Sequence, residues 1–229
     1  MKDKLLAIIL ARSGSKRIKN KNCKYILGKP MIVRTIEKIK KTKIFDKYIL
    51  STDSRKIMNI VKKYKFIEIH KRSKINSSDN ATTADALIEC LNYKRFKKKY
   101  RYCCVFYGTS IFINPKDIIS GYKNLIKNSL SSFFQITETE IQKNKILEID
   151  TKKKKIRFNK DFNNNYKKKF KYYKDTGQFY WIKIKDFMKY KKILMKNSGY
   201  QTIPNSKSHD INNYFDLEIA KIKLKNFKI

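Results

Sequence analysis

Arg12, Lys16 and Arg17 stand among small residues in the run Ala11-Arg12-Ser13-Gly14-Ser15-Lys16-Arg17, and Lys21-Asn22 follow closely. Small residues let backbone N–H groups approach an anion, and the cations neutralise it. That is the chemistry of gripping a polyphosphate beside a reacting centre. The spacing is neither the G-x-x-x-x-G-K-[ST] of a P-loop nor the G-x-G-x-x-G of a dinucleotide turn. The three cations of this loop are the groups that would neutralise such an anion.

The element that must position this loop is Leu5–Leu10, a continuous apolar run of the kind found in a parallel strand buried on both faces. Strands and helices then alternate. Pro30 is expected at the first position of a helix presenting Ile32, Ile36 and Ile39 on one face. Tyr48–Ser51 is a second strand ending at Thr52-Asp53-Ser54, and Ile57, Ile60, Val61 and Tyr64 recur at helical spacing. Phe66–Ile69 is a short third strand, and Thr82-Thr83 caps a helix carrying Leu87, Ile88 and Leu91. Tyr102–Tyr107 is strand-like, and Asn114-Pro115 opens a helix with Ile118, Tyr122 and Leu125 inward. Such repeated units imply a doubly wound, mostly parallel α/β sheet, in which ligands sit at the carboxyl ends of the strands. The pattern breaks from about Phe133 to Lys174, where Lys145–Phe158 reads as two short strands around a Lys-rich turn. This stretch, about 135–174, is expected as an arm inserted into a single domain spanning 1–229. Tyr214–Phe227 closes the chain as a helix with Leu217, Ala220 and Leu224 on one face.

Lys and Arg number 56 against 19 acidic residues, a formal charge of +37. The densest cluster, Thr151–Lys174, holds eleven basic residues and one acidic one. Lysines are nonetheless spread through nearly every segment, beside abundant Asn and Ile, and no nucleic-acid-binding module is recognisable. Nucleic acid is therefore not an expected partner, although the field should concentrate small anionic substrates. Cys23, Cys90, Cys103 and Cys104 lack metal-type spacing and read as small apolar core residues in a reducing compartment. Charge interrupts every apolar run of membrane length, and no signal peptide is visible, so a cytoplasmic location with no membrane association is expected.

Six segments together resemble one family. Ile9–Arg17 with Lys21-Asn22 is similar to the nucleotide loop of the CMP-sialic acid synthetase family, the bacterial cytidylyltransferases that activate nine-carbon sugar acids. Ser51-Thr52-Asp53 matches the family's second-strand motif, and Arg72-Ser73-Lys74 with Ser78–Thr83 resembles its cytosine- and ribose-reading segment. Cys103–Ser110 resembles its Tyr-x-Thr-Ala-Pro strand end. Asp175-Thr176-Gly177-Gln178-Phe179-Tyr180-Trp181 is close to the Asp-Ala-Gly-Gln-Phe-Tyr-Trp signature of the pseudaminic acid branch. His209-Asp210-Ile211-Asn212 stands where the family has Asp-Ile-Asp.

The resemblance implies a Rossmann-like nucleotidyltransferase fold, a homodimer exchanging contacts through the inserted arm, and CMP transfer from CTP to a nonulosonic acid with Mg²⁺. It places Arg12, Lys16 and Lys21 in catalysis. Ala11, Ser13, Gly14, Ser15, Asn22, Arg72, Thr82 and Thr83 would bind the nucleotide, and Tyr107, Thr109, Gln178 and Tyr180 the sugar. Asp210, Asn212 and Asp53 would hold the metal. Three departures matter: Asn212 replaces an acidic ligand, Lys19 replaces a Pro, and Gly108 and Ile111 occupy positions usually held by Pro or Ala and by Pro. The last pair implies a looser loop. Legionaminic, sialic or a related keto-acid sugar remains an alternative substrate. A catalytically impaired homologue that binds polyanions or RNA is the alternative of another class.

Overall fold

The computed structural model describes residues 3–139, 148–150, 155–157 and 172–226. The element order is β1 (Leu5–Leu10), β2 (Tyr25–Ile26), β3 (Lys29–Pro30), α1 (Met31–Lys40), β4 (Lys47–Thr52), α2 (Arg55–Val61), β5 (Ile67–Lys71), α3 (Thr83–Asn92), α4 (Phe96–Lys99) and β6 (Tyr102–Tyr107). It continues through α5 (Pro115–Lys127), β7 (Ser132–Thr139), β8 (Glu148–Asp150), β9 (Lys155–Arg157), β10 (Tyr172–Lys183), α6 (Ile184–Tyr190), β11 (Ser198–Thr202) and α7 (Tyr214–Asn226). The main sheet has seven strands in the order β11-β7-β10-β6-β1-β4-β5. β1 pairs parallel with β4 and β6, β4 with β5, and β7 with β11, while β10 runs antiparallel between β6 and β7.

Side chains alternate across β1 with a period of two, and both sets are buried. Leu5, Ala7 and Ile9 pack with Ile32, Ile36 and Ile39 of α1, Ile57 and Val61 of α2, and Ile118 and Leu125 of α5. Leu6, Ile8 and Leu10 pack with Leu87, Cys90 and Leu91 of α3 and Phe187 of α6. Adjacent Cys103 and Cys104 likewise divide between the two faces, and all four cysteines are buried free thiols. Each fully buried aliphatic side chain contributes about 1.5–3 kcal/mol. Trp181 of β10 fills the first face, and its indole N–H donates to the Ile118 carbonyl at 2.8 Å. No helix among the described residues is long and apolar enough to cross a membrane.

Most expected strands and helices lie within a residue or two of their places. Pro30 caps α1 rather than opening it, because its extended backbone still pairs with Tyr25 in the β2–β3 hairpin. The ends of the expected arm are strands of the main sheet: β7 runs to Thr139, and Tyr172–Asp175 of β10 pair with Thr139–Ile136. Alternation from Ser132 is hidden by Thr and Gln at inward positions, where Gln135 and Thr137 are buried. β8 and β9 form the expected antiparallel pair, with Glu148 opposite Arg157. The Lys-rich turn and the polar stretch beyond it lie outside the described residues. The polar edge strand β11, the short β2–β3 pair, α4 and α6 carry little apolar periodicity and were not anticipated.

Lys38 of α1 buries its ammonium with no partner among the described residues. Burial, aided by Arg34 and Lys41, pushes its pKa down to about 8. Lys38→Met should therefore stabilise the fold by about 1–2 kcal/mol, read from urea melts at pH 7. A lower midpoint would show that the ammonium has a partner.

Candidate active site

The carboxyl ends of β1, β4, β5 and β6 lie along one edge of the sheet, since these strands are parallel. The loop after β1 is pinned there: Ala11 N–H donates to the Ser51 carbonyl and Gly108 N–H to the Leu10 carbonyl, each at 3.0 Å. A cleft of about 630 Å³ opens above this edge. β10 enters from the opposite direction, so its first half reaches the same cleft. A register break between Asp175 and Tyr180, with Gly177 at φ +64°, bends the strand there. Gly177 N–H and Tyr180 Oη–H donate to the two Asp175 carboxylate oxygens.

Arg12, Lys16, Arg17 and Lys21 line the cleft together with Asp175 and Asp210. Asp79, also on the wall, bridges two of the cations, at 3.1 Å from Arg12 and 2.7 Å from Lys16. Arg12 also donates to the Ser78 carbonyl at 2.6 Å. The hydrogen bond from Lys16 holds the exposed Asp79 carboxyl below its ordinary value. Lys21 donates to the Ile211 carbonyl at 2.8 Å, and burial lowers its pKa against the opposing pull of Asp210. Asp175 is raised, first by the desolvating walls and in part by Asp210.

Of the residues anticipated from sequence, Arg12, Gly14, Ser15, Lys16, Lys21, Asn22, Tyr107, Thr109, Tyr180, Asp210 and Asn212 line the cleft. Ala11 is buried in the sheet core just beneath. Thr83 meets the Tyr107 hydroxyl at 3.0 Å, at the cleft wall. Ser13 differs from expectation, because its N–H and hydroxyl both bond Asp53. Asp53 is not among the residues lining the cleft, and each of its carboxylate oxygens fastens the loop after β1. Thr82 is also committed elsewhere, as the N-cap of α3 in a reciprocal box with Asp85.

Gln178 is turned into the protein rather than toward a sugar. Its oxygen accepts from Phe112 N–H at 3.2 Å, and its amide donates to the Thr176 and His209 carbonyls. The side chain staples the loop after β6 to the segment before α7. Arg72 is buried at 6%, with Nε on Ser51 Oγ at 3.0 Å and Nη2 on the Ser51 carbonyl at 2.7 Å. Arg17, singled out in the cationic loop but given no specific role, lines the cleft, and Asp79 and Asp175 join it without having been assigned a role from sequence. Asp175 had a signal, as the first residue of the Asp-Thr-Gly-Gln-Phe-Tyr-Trp run.

The loop after β6 is well packed despite Gly108 and Ile111. Ile111 is fully buried with Ile18, Ile26, Met31 and Phe112. At Gly108 a Cβ would run into Asn22 Oδ1, and Thr35 donates to its carbonyl at 3.1 Å. Asn22 is thereby free to donate to the Arg12 carbonyl at 3.0 Å and set the loop that carries Arg12.

A divalent cation is compatible with the donors present. Mg²⁺ commonly takes one or two carboxylates with phosphate and water oxygens. Asp210 supplies one carboxylate, and Asn212 can present an amide oxygen. Asn212 now donates to Asp210 at 2.7 Å and accepts from Arg17 at 3.1 Å. No group of three or more His, Cys, Asp or Glu suited to a metal occurs among the described residues, so a substrate phosphate would have to complete the shell.

The Cytidylyltransferase family profile matches residues 6–213. The chain belongs to the cytidylyltransferase family. It is 30% identical over 224 residues to the pseudaminic acid cytidylyltransferase of Campylobacter jejuni subsp. jejuni serotype O:23/36 (strain 81-176), covering 97% of each chain. It is 29% identical over 112 residues to the CMP-N,N'-diacetyllegionaminic acid synthase of Legionella pneumophila subsp. pneumophila (strain Philadelphia 1), covering 49% of this chain and 46% of that one. Among solved structures, a CMP:2-keto-3-deoxy-manno-octonic acid synthetase complexed with CTP superposes with a TM-score of 0.71 at 15% identity, covering 97% of this chain and 98% of that one. The likeness confirms the nucleotidyltransferase fold expected from the sequence.

Gly108→Ala should displace Asn22 from Arg12 and slow nucleotide turnover about tenfold or more, with the melting temperature lowered by a few degrees. Unchanged kinetics would show that Asn22 does not set the loop. Both histidines are held below the ordinary value of 6.5, chiefly by burial. The unfolded chain takes up these protons near pH 6.5 and the folded chain resists them, so stability should fall as pH drops from 7.5 to 5.5. Urea melts across that window check the sign, and a midpoint that rises on acidification would reverse it.

Proposed function

We propose that the protein transfers CMP from CTP to a nonulosonic acid, pseudaminic acid foremost, and releases pyrophosphate. The observation that carries this reading is the gathering of four cations, Arg12, Lys16, Arg17 and Lys21, in one cleft at the carboxyl ends of the parallel strands. Such a site suits a polyphosphate, and Tyr107, Thr109 and Tyr180 in the same cleft offer hydroxyls to a sugar. The full-length likeness to a pseudaminic acid cytidylyltransferase supports the choice of sugar.

In this reading the triphosphate takes the place that Asp79 holds between Arg12 and Lys16, and Lys21 reaches the phosphates from the cleft floor. The sugar's anomeric hydroxyl oxygen bonds to the α-phosphorus as the bond to the α,β-bridging oxygen breaks, and the hydroxyl proton passes to solvent water. Charge moves onto the departing pyrophosphate, where fixed cations stabilise it most. Asn22 and the loop amides orient the nucleotide, and Arg72 with Thr83 reads the cytosine. Tyr107, Thr109 and Tyr180 face the sugar. Asp210 and Asn212 would hold Mg²⁺, which when bound neutralises phosphate charge. The same reading carries a cytoplasmic homodimer joined through the segment between β7 and β10, within one domain spanning 1–229.

Pyrophosphate release is to be measured with CTP, Mg²⁺ and separate nonulosonic acids. Release with pseudaminic acid, at a rate raised by Asn212→Asp, is the expected result. Release only with legionaminic or sialic acid would overturn the choice of sugar. Silence with every acid, from folded protein, would overturn the transferase reading.

A further inference from the structure

Glu89, in the last turn of α3, does not line the cleft, yet its carboxylate is the most heavily bonded side-chain acceptor near it. One oxygen accepts from Ser73 N–H at 2.8 Å, and the other accepts from Ser73 Oγ at 2.7 Å and from Asn76 Nδ2. His70 Nε2 lies 3.4 Å from the first. These bonds hold both ends of a short segment. At one end is Arg72, next to Ser73. At the other are the Ser77 and Ser78 carbonyls and Asp79, all of which contact Arg12.

A second route runs from Glu89 to Arg72 through the sheet. His70 Nδ1 meets Ser51 Oγ at 3.1 Å, and that oxygen accepts from Arg72 Nε at 3.0 Å. A guanidinium can only donate, so Ser51 Oγ accepts from Arg72, and with the imidazole proton on Nε2, toward Glu89, Ser51 donates in turn to His70 Nδ1. Ser51 is fully buried and His70 nearly so, so no water replaces a lost link cheaply.

We propose that Glu89 is a positioning residue for the nucleotide. It aims Arg72 at the base through His70 and Ser51, and it holds the 73–79 segment against Arg12. The assignment rests on the reading of Arg72 as the base-recognising group. Through Glu89, the base end and the triphosphate end of the cleft are tied to one point on α3. An error in either end's position would then appear as weaker and less selective nucleotide binding.

Glu89→Gln keeps the volume but replaces one acceptor by a donor, which meets either Ser73 or Asn76 unfavourably. Ser51→Ala cuts only the chain to Arg72 and removes a single oxygen from the core. Each variant is compared with wild type by calorimetric binding of CTP and of UTP, and by KM and kcat for pyrophosphate release. Glu89→Gln is expected to weaken CTP binding and raise its KM about tenfold, with kcat changed less. Both variants should lose several-fold of the preference for CTP over UTP. A lower melting temperature with unaltered CTP affinity and preference in both variants would reduce Glu89 to a structural role and overturn the proposal. A wild type that prefers CTP in binding but turns over no sugar counts against the transferase reading alone. A wild type with no preference between CTP and UTP counts against Arg72 as the base reader and overturns the proposal with it.

Discussion

Strand β1 is buried on both faces and hydrogen-bonded on both edges, to β4 and β6. With no free edge and no solvent face, it can place polar chemistry only where it ends. Its parallel neighbours end on the same side, so the loops that follow them must share one rim. The antiparallel β10 meets this rim from the other direction and delivers Asp175 to it. The cleft is thus a geometric consequence of satisfying the backbone of one apolar strand.

A rim that collects four cations must also manage their repulsion. Asp79 lies between Arg12 and Lys16, Asn212 accepts from Arg17, and the Ile211 carbonyl accepts from Lys21. Each of these contacts is made by an exposed or loop group and is replaceable by an anion. The contacts beneath differ in kind. Asp53 on Ser13 and Gln178 on Phe112 hold backbone in place, and Ser51 fixes the buried Arg72 through both Nε and Nη2. The site therefore divides into a yielding layer that an anion can displace and a fixed layer that sets where it binds.

Much of this was legible in the residues themselves. β1 and β6 read as unbroken apolar runs, and α5 announced itself by Asn114-Pro115. The nucleotide loop was visible as small residues interleaved with cations. What escaped was built from polar residues whose environment is set by distant strands. β11 is a polar edge strand with no periodicity to detect, and β7 hides its inward face behind Gln135 and Thr137. Residue type likewise could not show that Asp53, Ser13 and Gln178 bond to the scaffold. A carboxylate, a hydroxyl and an amide serve a ligand or a loop equally well, and only the neighbours choose.

The sequence by itself determined the strand–helix alternation, the apolar strand that must be central and the cationic loop that must follow it. These rest on periodicity and residue type, which are local. Tertiary structure alone decided which polar groups face the cleft. Asp175 and Lys21 lie more than a hundred residues apart yet share it, because antiparallel β10 brings its bulge to the rim that β1 defines. Side-chain hydrogen bonds between remote segments then tied Asp53 to the loop after β1 and Gln178 to the loop after β6, while Asp175 and Asp210 came to line the cleft. Commitment of this kind depends on distance and direction in space, which no run of residue types encodes.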